Sequence, residues 1–186
     1  MSELNKTLVD VFGYTSFRPG QEEVINHLMQ KKKLLAVMPT GAGKSLCYQL
    51  PAVLFENQTI VLSPLVALMD DQVIGLKDLG IKAERVHSGM TESEREQVWE
   101  GFKNKKIKIL YISPESLMRN EMICALKPLN ISMFVVDEAH CISKWGSDFR
   151  REYELLKELQ NHFPEAIISA FTATADEETR ADINNK

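Results

Sequence analysis

The apolar run Leu34-Leu35-Ala36-Val37 breaks into Met38-Pro39-Thr40-Gly41-Ala42-Gly43-Lys44-Ser45. Such a run, stopped by closely spaced glycines, describes a buried strand that ends in a tight turn. Gly41 and Gly43 can take backbone angles that a side chain forbids, so successive amides can converge on an anion. A helix expected to begin near Lys44 would turn its positive dipole end toward the same point. Lys44 has the reach for terminal phosphates, and the Ser45 hydroxyl suits a magnesium position. Thr40, Gly41, Ala42, Gly43, Lys44 and Ser45 therefore read as a phosphate cradle. Met38 departs from the usual pattern, because a glycine normally stands there. A plain glycine turn with a surface lysine is the competing explanation.

Further along, Met133-Phe134-Val135-Val136 closes on Asp137-Glu138-Ala139-His140. Neighbouring residues at a strand end point in different directions, so the two acids suit two roles. Asp137 would hold magnesium through its water shell, and Glu138 would polarise an attacking water. An acidic turn alone would mean little. Downstream of a phosphate cradle it completes a site for nucleoside triphosphate hydrolysis.

Strand and helix signals alternate along the chain, which argues for a parallel sheet covered by helices. Strands are predicted at 34–38, 59–63, 83–87, 107–112, 132–137 and 167–171. An opening helix carries Leu4, Leu8, Val11 and Phe12, and a second is expected to start on Pro19. Thr91 and Glu94 have the spacing of a capping box for a helix carrying Val98 and Phe102. Another helix carries Leu156, Leu159 and Phe163. Ser63-Pro64 and Ser113-Pro114 each predict a serine cap and a proline at a helix start. In a parallel sheet both would share the cradle's edge, where backbone amides can grip a nucleic-acid backbone without basic side chains.

The 186 residues suit one domain, and the sequence shows no signal peptide, long apolar span or lipidation motif. A cytoplasmic protein without membrane contact is the expectation. Cys47, Cys124 and Cys141 are odd in number and lack metal-type spacing, so they read as reduced thiols, with Cys47 buried. The net charge of −4 argues against strong non-specific nucleic-acid binding. Lys31-Lys32-Lys33 and Lys103, Lys105, Lys106 and Lys108 read as solvated segments flanking strands. His27, His87 and His162 read as ordinary surface or core residues.

Several of these stretches together resemble a family. Phe12-Gly13-Tyr14 with Phe17-Arg18-Pro19-Gly20-Gln21, the run from Met38 to Gln49, Ser63 to Gln72, Ser113-Pro114-Glu115, the acidic box, and Ala170-Phe171-Thr172-Ala173-Thr174-Ala175 stand in the motif order of RecQ-type DNA helicases. These belong to the DEAD/DEAH-box-like superfamily, whose version of the phosphate loop accepts the residue at position 38. The most discriminating stretch is Cys141-Ile142-Ser143-Lys144-Trp145-Gly146-Ser147-Asp148-Phe149-Arg150. It resembles the aromatic-rich loop that couples single-stranded DNA to ATP hydrolysis. The composition suits such coupling, because Trp145 and Phe149 offer flat faces to bases, at about 1–3 kcal/mol per stacked base, and Arg150 adds charge. Arg151 stands where many relatives carry proline.

The resemblance implies one RecA-like P-loop NTPase domain over residues 1–186, of α/β class. Its mostly parallel sheet would carry helices on both faces and include the N-terminal helical segment. ATP and Mg2+ would be the cofactors, with no zinc in this chain. Arg18 and Gln21 would contact adenine. Ser63, Pro64, Gln72, His140, Trp145, Phe149, Arg150, Thr172 and Thr174 would contact single-stranded DNA or relay nucleotide state to it. The full enzyme would unwind duplex DNA 3′-to-5′ as a monomer. The family's second RecA-like domain with its arginine finger, its zinc-binding region and its winged helix are not in this sequence, so the chain alone is expected to turn ATP over slowly. An RNA helicase domain of the same superfamily, or a nucleotide-binding module without productive hydrolysis, stays open beside this reading.

Overall fold

The computed structural model of the chain describes residues 2–39, 41–138 and 150–173. Six strands form: β1 Leu34–Val37, β2 Thr59–Leu62, β3 Ala83–Val86, β4 Ile109–Ile112, β5 Met133–Val136 and β6 Ile167–Thr172. All pair in parallel, in the order β1-β6-β5-β2-β4-β3. Every one falls on a predicted strand, and the sheet is wholly rather than mostly parallel.

The helices are α1 Glu3–Asp10, α2 Gln21–Met29, α3 Lys44–Leu54, α4 Val66–Asp78, α5 Glu92–Lys103, α6 Pro114–Leu117, α7 Asn120–Leu126 and α8 Arg150–His162. They divide between the two faces because side chains alternate along each strand. Val61, Tyr111, Met133, Val135 and Phe171 pack with Leu8, Ile25, Leu28, Leu50 and Met69 of α1–α4. Their strand neighbours Leu62, Leu110, Phe134, Val136 and Ala170 pack with Phe102, Leu117, Leu126 and Leu159 of α5–α8. A sheet buried on both faces explains why central strands such as β4 and β5 read as continuous apolar runs rather than alternating ones, whereas the edge strand β3 carries Glu84 and Arg85 half-buried. Among the described residues, no helix is long and apolar enough to cross a membrane.

Two helix starts differ from expectation. Helix α2 begins at Gln21, with Gly20 at φ 83 as its N-cap, so Pro19 lies outside the helix. A left-handed N-cap needs glycine, and the glycine overrides the proline signal. Helix α4 begins at Val66 with Leu65 as N-cap and no side-chain cap. Ser63 is instead drawn into the end of β2, its N–H bonding the Ile112 carbonyl at 3.1 Å. Ser113 does cap α6, accepting from the Ser116 N–H, with Pro114 in the first turn.

The capping box on α5 is complete. The Glu94 carboxylate accepts from the Thr91 N–H and hydroxyl, each at 2.8 Å, and Thr91 Oγ1 accepts from the Glu94 N–H. The hydrogen bonds from Thr91 hold the Glu94 carboxyl below its usual range. That contribution is present above the ordinary carboxylate pKa and is lost as pH falls through the lowered one. Thr91→Ala should cost about 1 kcal/mol at neutral pH, and its gap in melting temperature from the wild type should narrow in acid.

Cys47 is fully buried, and its burial pushes the thiol up to about 12, while Cys124 is exposed. Thiolate is the reactive form. Mass spectrometry after alkylation of the folded chain at neutral pH should find Cys124 modified and Cys47 protected until denaturant is added.

Candidate nucleotide and strand-coupling site

Parallel pairing brings five strand ends to one edge of the sheet. Val37 is level with Thr172, Val136 with Ala170, and Leu62 with both Val136 and Ile112. Ligand sites in open parallel sheets form outside such carboxyl ends.

Met38 continues β1 instead of opening the loop. Its N–H donates to the Thr172 carbonyl at 2.9 Å, and its sulfur lies 3.8 Å from Cys47 Sγ. A glycine is therefore not needed there, and the turn begins after it. Gly41 and Gly43 have φ 82 and 79, and Gly43 is the N-cap of α3. The segment before α2 grips the loop from outside. Gln21 Nε2 donates to the carbonyls of Ala42 at 3.3 Å and Gly43 at 3.1 Å, and Arg18 Nη1 donates to that of Gly41 at 2.6 Å. Gln21 Oε1 accepts from the Arg18 N–H at 2.8 Å, closing the clamp. With those carbonyls held on one side, the trans peptide units turn the N–H groups of Gly43 and Lys44 the other way. Arg18 and Gln21, expected at the base of a nucleotide, here hold the phosphate loop itself.

Asp137 lies on the α3 side of the sheet, two residues after Val135 on the same face, and is buried. Its Oδ2 accepts from the Tyr48 hydroxyl at 2.8 Å and its Oδ1 from the Glu138 N–H at 2.9 Å. Burial pushes its carboxyl above the usual range, and the Tyr48 bond offsets part of that. Glu138 takes φ 52, a left-handed angle that costs a residue with a side chain about 1–2 kcal/mol. Strain of this kind gathers at functional sites. Here the turn accompanies a 2.7 Å ion pair between Glu138 Oε1 and Lys44 Nζ.

Lys44 and Glu138 line a cleft of about 610 Å³ with Arg18, Gln21, Ser45, Gln49, Gln72 and Tyr14, within the size range of small-molecule sites; Asp137 lies buried beside Glu138. Tyr14 is half exposed and contributes an aromatic residue to the cleft lining. Magnesium keeps several waters and phosphate oxygens and takes only one or two protein groups. The Ser45 hydroxyl and the Asp137 carboxylate fit that demand. Among the described residues, no group of three or more His, Cys, Asp or Glu is placed to enclose a metal.

The strand-contact expectations fare unevenly. Gln72 is half-buried on α4, with its Oε1 accepting from Gln49 Nε2 at 2.7 Å. Ser63 and Thr172 are buried at their strand ends, and Pro64 is half-buried. Thr40, His140, Trp145, Phe149 and Thr174 lie outside the described residues, as does the side chain of Arg150, which opens α8. Tyr48 is a functional neighbour that the sequence patterns did not single out. Its spacing carried a signal: Lys44 and Tyr48 are four apart, on one helical face.

A protein-family model described as DEAD/DEAH box helicase matches residues 18–183. The chain is 48% identical over 184 residues to the ATP-dependent DNA helicase RecQ of Pasteurella multocida, covering 97% of this chain and 29% of that protein. It is 44% identical over its whole length to the probable ATP-dependent DNA helicase RecS of Bacillus subtilis, of which it covers 37%. The chain thus spans about a third of the curated relatives it matches. Among solved structures, the DUF1998 helicase MrfA bound to DNA and AMPPNP superposes with a TM-score of 0.77 at 19% identity, over all of this chain and 28% of that one. A hypothetical ATP-dependent RNA helicase from Sulfolobus tokodaii gives 0.74, also at 19%, over all of this chain and 54% of that one. At that identity the two structures support the RecA-like fold alone.

A Cβ added at Gly43 would lie 2.4 Å from Gln21 Nε2, at a φ of +79 that side chains rarely adopt. Gly43→Ala should break the clamp and misdirect the loop amides. Calorimetric titration with Mg-ATP should then show at least about a tenfold loss of affinity, with a smaller loss of thermal stability.

Proposed function

Because the chain belongs to the DEAD/DEAH box helicase family, we propose that it is the nucleotide-binding motor domain of an ATP-dependent DNA helicase of RecQ type. In the complete enzyme, ATP hydrolysis on this domain would drive 3′-to-5′ movement along one DNA strand and unwinding of the duplex ahead. The observation that carries the reading is the Lys44–Glu138 pair at 2.7 Å beside the buried Asp137. It joins residues 94 apart in sequence at the mouth of one cleft.

The chemistry follows from what each group can do. Lys44 donates to the terminal phosphates, which compete with Glu138 for its ammonium. Glu138, released from that pair, accepts a hydrogen bond from the attacking water and orients it. Ser45 and Asp137 are the groups that would hold magnesium, which neutralises charge on the phosphate oxygens. Asp137 is kept in one orientation because both its oxygens are engaged. The clamp of Arg18 and Gln21 keeps the loop amides aimed at the phosphates.

Arg18 is the one arginine among the described residues lining the cleft, and it is committed to the Gly41 carbonyl. An arginine finger contributes a factor of about 10³–10⁵ to such reactions. The 186-residue chain therefore binds Mg-ATP and turns it over slowly. DNA rather than RNA is favoured by the named relatives and by the Trp145–Arg150 run, whose aromatics suit base stacking.

The test is ATP hydrolysis and nucleotide binding by the folded monomer, alone, with oligo-dT and with oligo-U. Tight Mg-ATP binding, weak turnover and stronger retention of oligo-dT are expected, with Lys44→Ala abolishing nucleotide binding. Fast strand-stimulated turnover would overturn the half-motor reading. Preference for oligo-U would overturn the choice of DNA.

A further inference from the structure

The cleft runs well beyond the phosphate loop. Helices α3 and α4 both start at the carboxyl edge of the sheet, and the cleft follows them away from it. One wall carries Phe12 and Tyr14, and the other carries Asp71, Gly75 and Asp78 of α4. Gly75 lies about 14 Å along α4 from its first residue. A triphosphate held by Lys44 occupies the loop end, which leaves the far end for the sugar and base.

Gly75 is the least expected residue on that wall. Glycine weakens a helix relative to alanine, and no turn or left-handed angle requires it here. Packing does not require it either, because a Cβ at Gly75 would meet no atom within 4 Å, whereas one at Gly43 would strike Gln21. The missing side chain therefore leaves an open shelf on the cleft wall. Asp71 and Asp78 stand one turn to either side on the same helical face, while Met69 and Val73 turn the opposite face into the core. Among the described residues, neither carboxylate has a hydrogen-bond or ion-pair partner. Ionised, each can only accept.

The other polar groups near the loop are already engaged. Gln21 donates to two loop carbonyls and accepts from the Arg18 N–H, and Arg18 Nη1 donates to the Gly41 carbonyl. Reading the base thus falls to α4. We propose that the shelf at Gly75 seats the nucleotide's base, and that Asp71 and Asp78 are specificity-determining residues that accept hydrogen bonds from its exocyclic amino group. The inference rests on the function proposed above and names the part of the same cleft that chooses the base. A site built to accept from a donor rejects an analogue lacking it, because the acceptor is then left unpaired.

The test measures dissociation constants of the full chain, with Mg2+, for three probes. These are ATP, purine riboside triphosphate, which lacks only the 6-amino group, and inorganic tripolyphosphate, which has no base. The wild type should hold ATP at least about tenfold tighter than purine riboside triphosphate. Gly75→Leu fills the shelf with a better helix former, so its melting temperature should match or exceed that of the wild type. It should weaken ATP at least about tenfold while tripolyphosphate stays within about twofold. The double variant Asp71→Ala, Asp78→Ala should bind ATP and purine riboside triphosphate equally. Wild-type affinity for ATP in folded Gly75→Leu overturns the proposal, as does an equal loss for tripolyphosphate. A wild type indifferent to the 6-amino group, or a preference that survives removal of both carboxylates, overturns it too. In each of those cases the wild type still binds Mg-ATP, and the proposed function stands. A wild type that binds no Mg-ATP removes the proposed function itself and this inference with it.

Discussion

The pairing of β6 between β1 and β5 is the constraint from which the site follows. It sets the end of β1 and the end of β5 two strand spacings apart, at about 4.8 Å each. Lys44 spans such a gap with its extended side chain, and Glu138 meets it from the other side. Were β5 next to β1, the acids would crowd the phosphate loop. One strand further away, the lysine would fall short. The middle strand also serves as a fixed floor, because Thr172 at its end receives the Met38 N–H and ties the root of the loop to the sheet.

Around this frame the structure accepts local costs. Glu138 adopts a left-handed backbone angle, and Asp137 is buried in a layer otherwise made largely of leucine, valine, methionine and aromatic rings. Neither feature helps the chain to fold. Tyr48, Gln49 and Tyr111 add buried polar groups to the same layer, where apolar residues of similar volume would be easier to bury. Stability is thus supplied elsewhere, by the doubly covered sheet and by caps such as that of Thr91 and Glu94.

The strands and the two acidic and glycine-rich signatures were legible because each depends on residues adjacent in sequence. For β1, β4 and β5, four apolar residues in a row need no tertiary information to read as a buried strand. Helix starts were less legible. Pro19 and Ser63 carry genuine start signals, but Gly20 at φ 83 supplies a better N-cap in the first case, and the end of β2 claims the serine in the second. Contacts across the fold were least legible. Tyr48 reads as core from its apolar neighbours, and only the approach of β5 makes it a partner of Asp137. Likewise Arg18 and Gln21 find their carbonyls because α2 packs along α3, a neighbourhood that no local pattern encodes.

The lysine-rich segments sit on the far side from all of this. Lys31-Lys32-Lys33 precedes β1, Lys82 precedes β3, and Lys105, Lys106 and Lys108 precede β4, so they gather where the strands begin rather than where they end. Among the described residues, the cleft's own lysine is already neutralised by Glu138. Among the described residues, a pole of positive charge thus faces away from the cleft edge. In dilute buffer a polyanion would feel that pole from a distance and tend to meet the molecule tail-first. At physiological ionic strength the field fades within about 8 Å, and such misdirected encounters lose their advantage. Background salt, usually counted as the enemy of protein–DNA attraction, would here act as an editor of approach, leaving the choice of face to contacts made at close range.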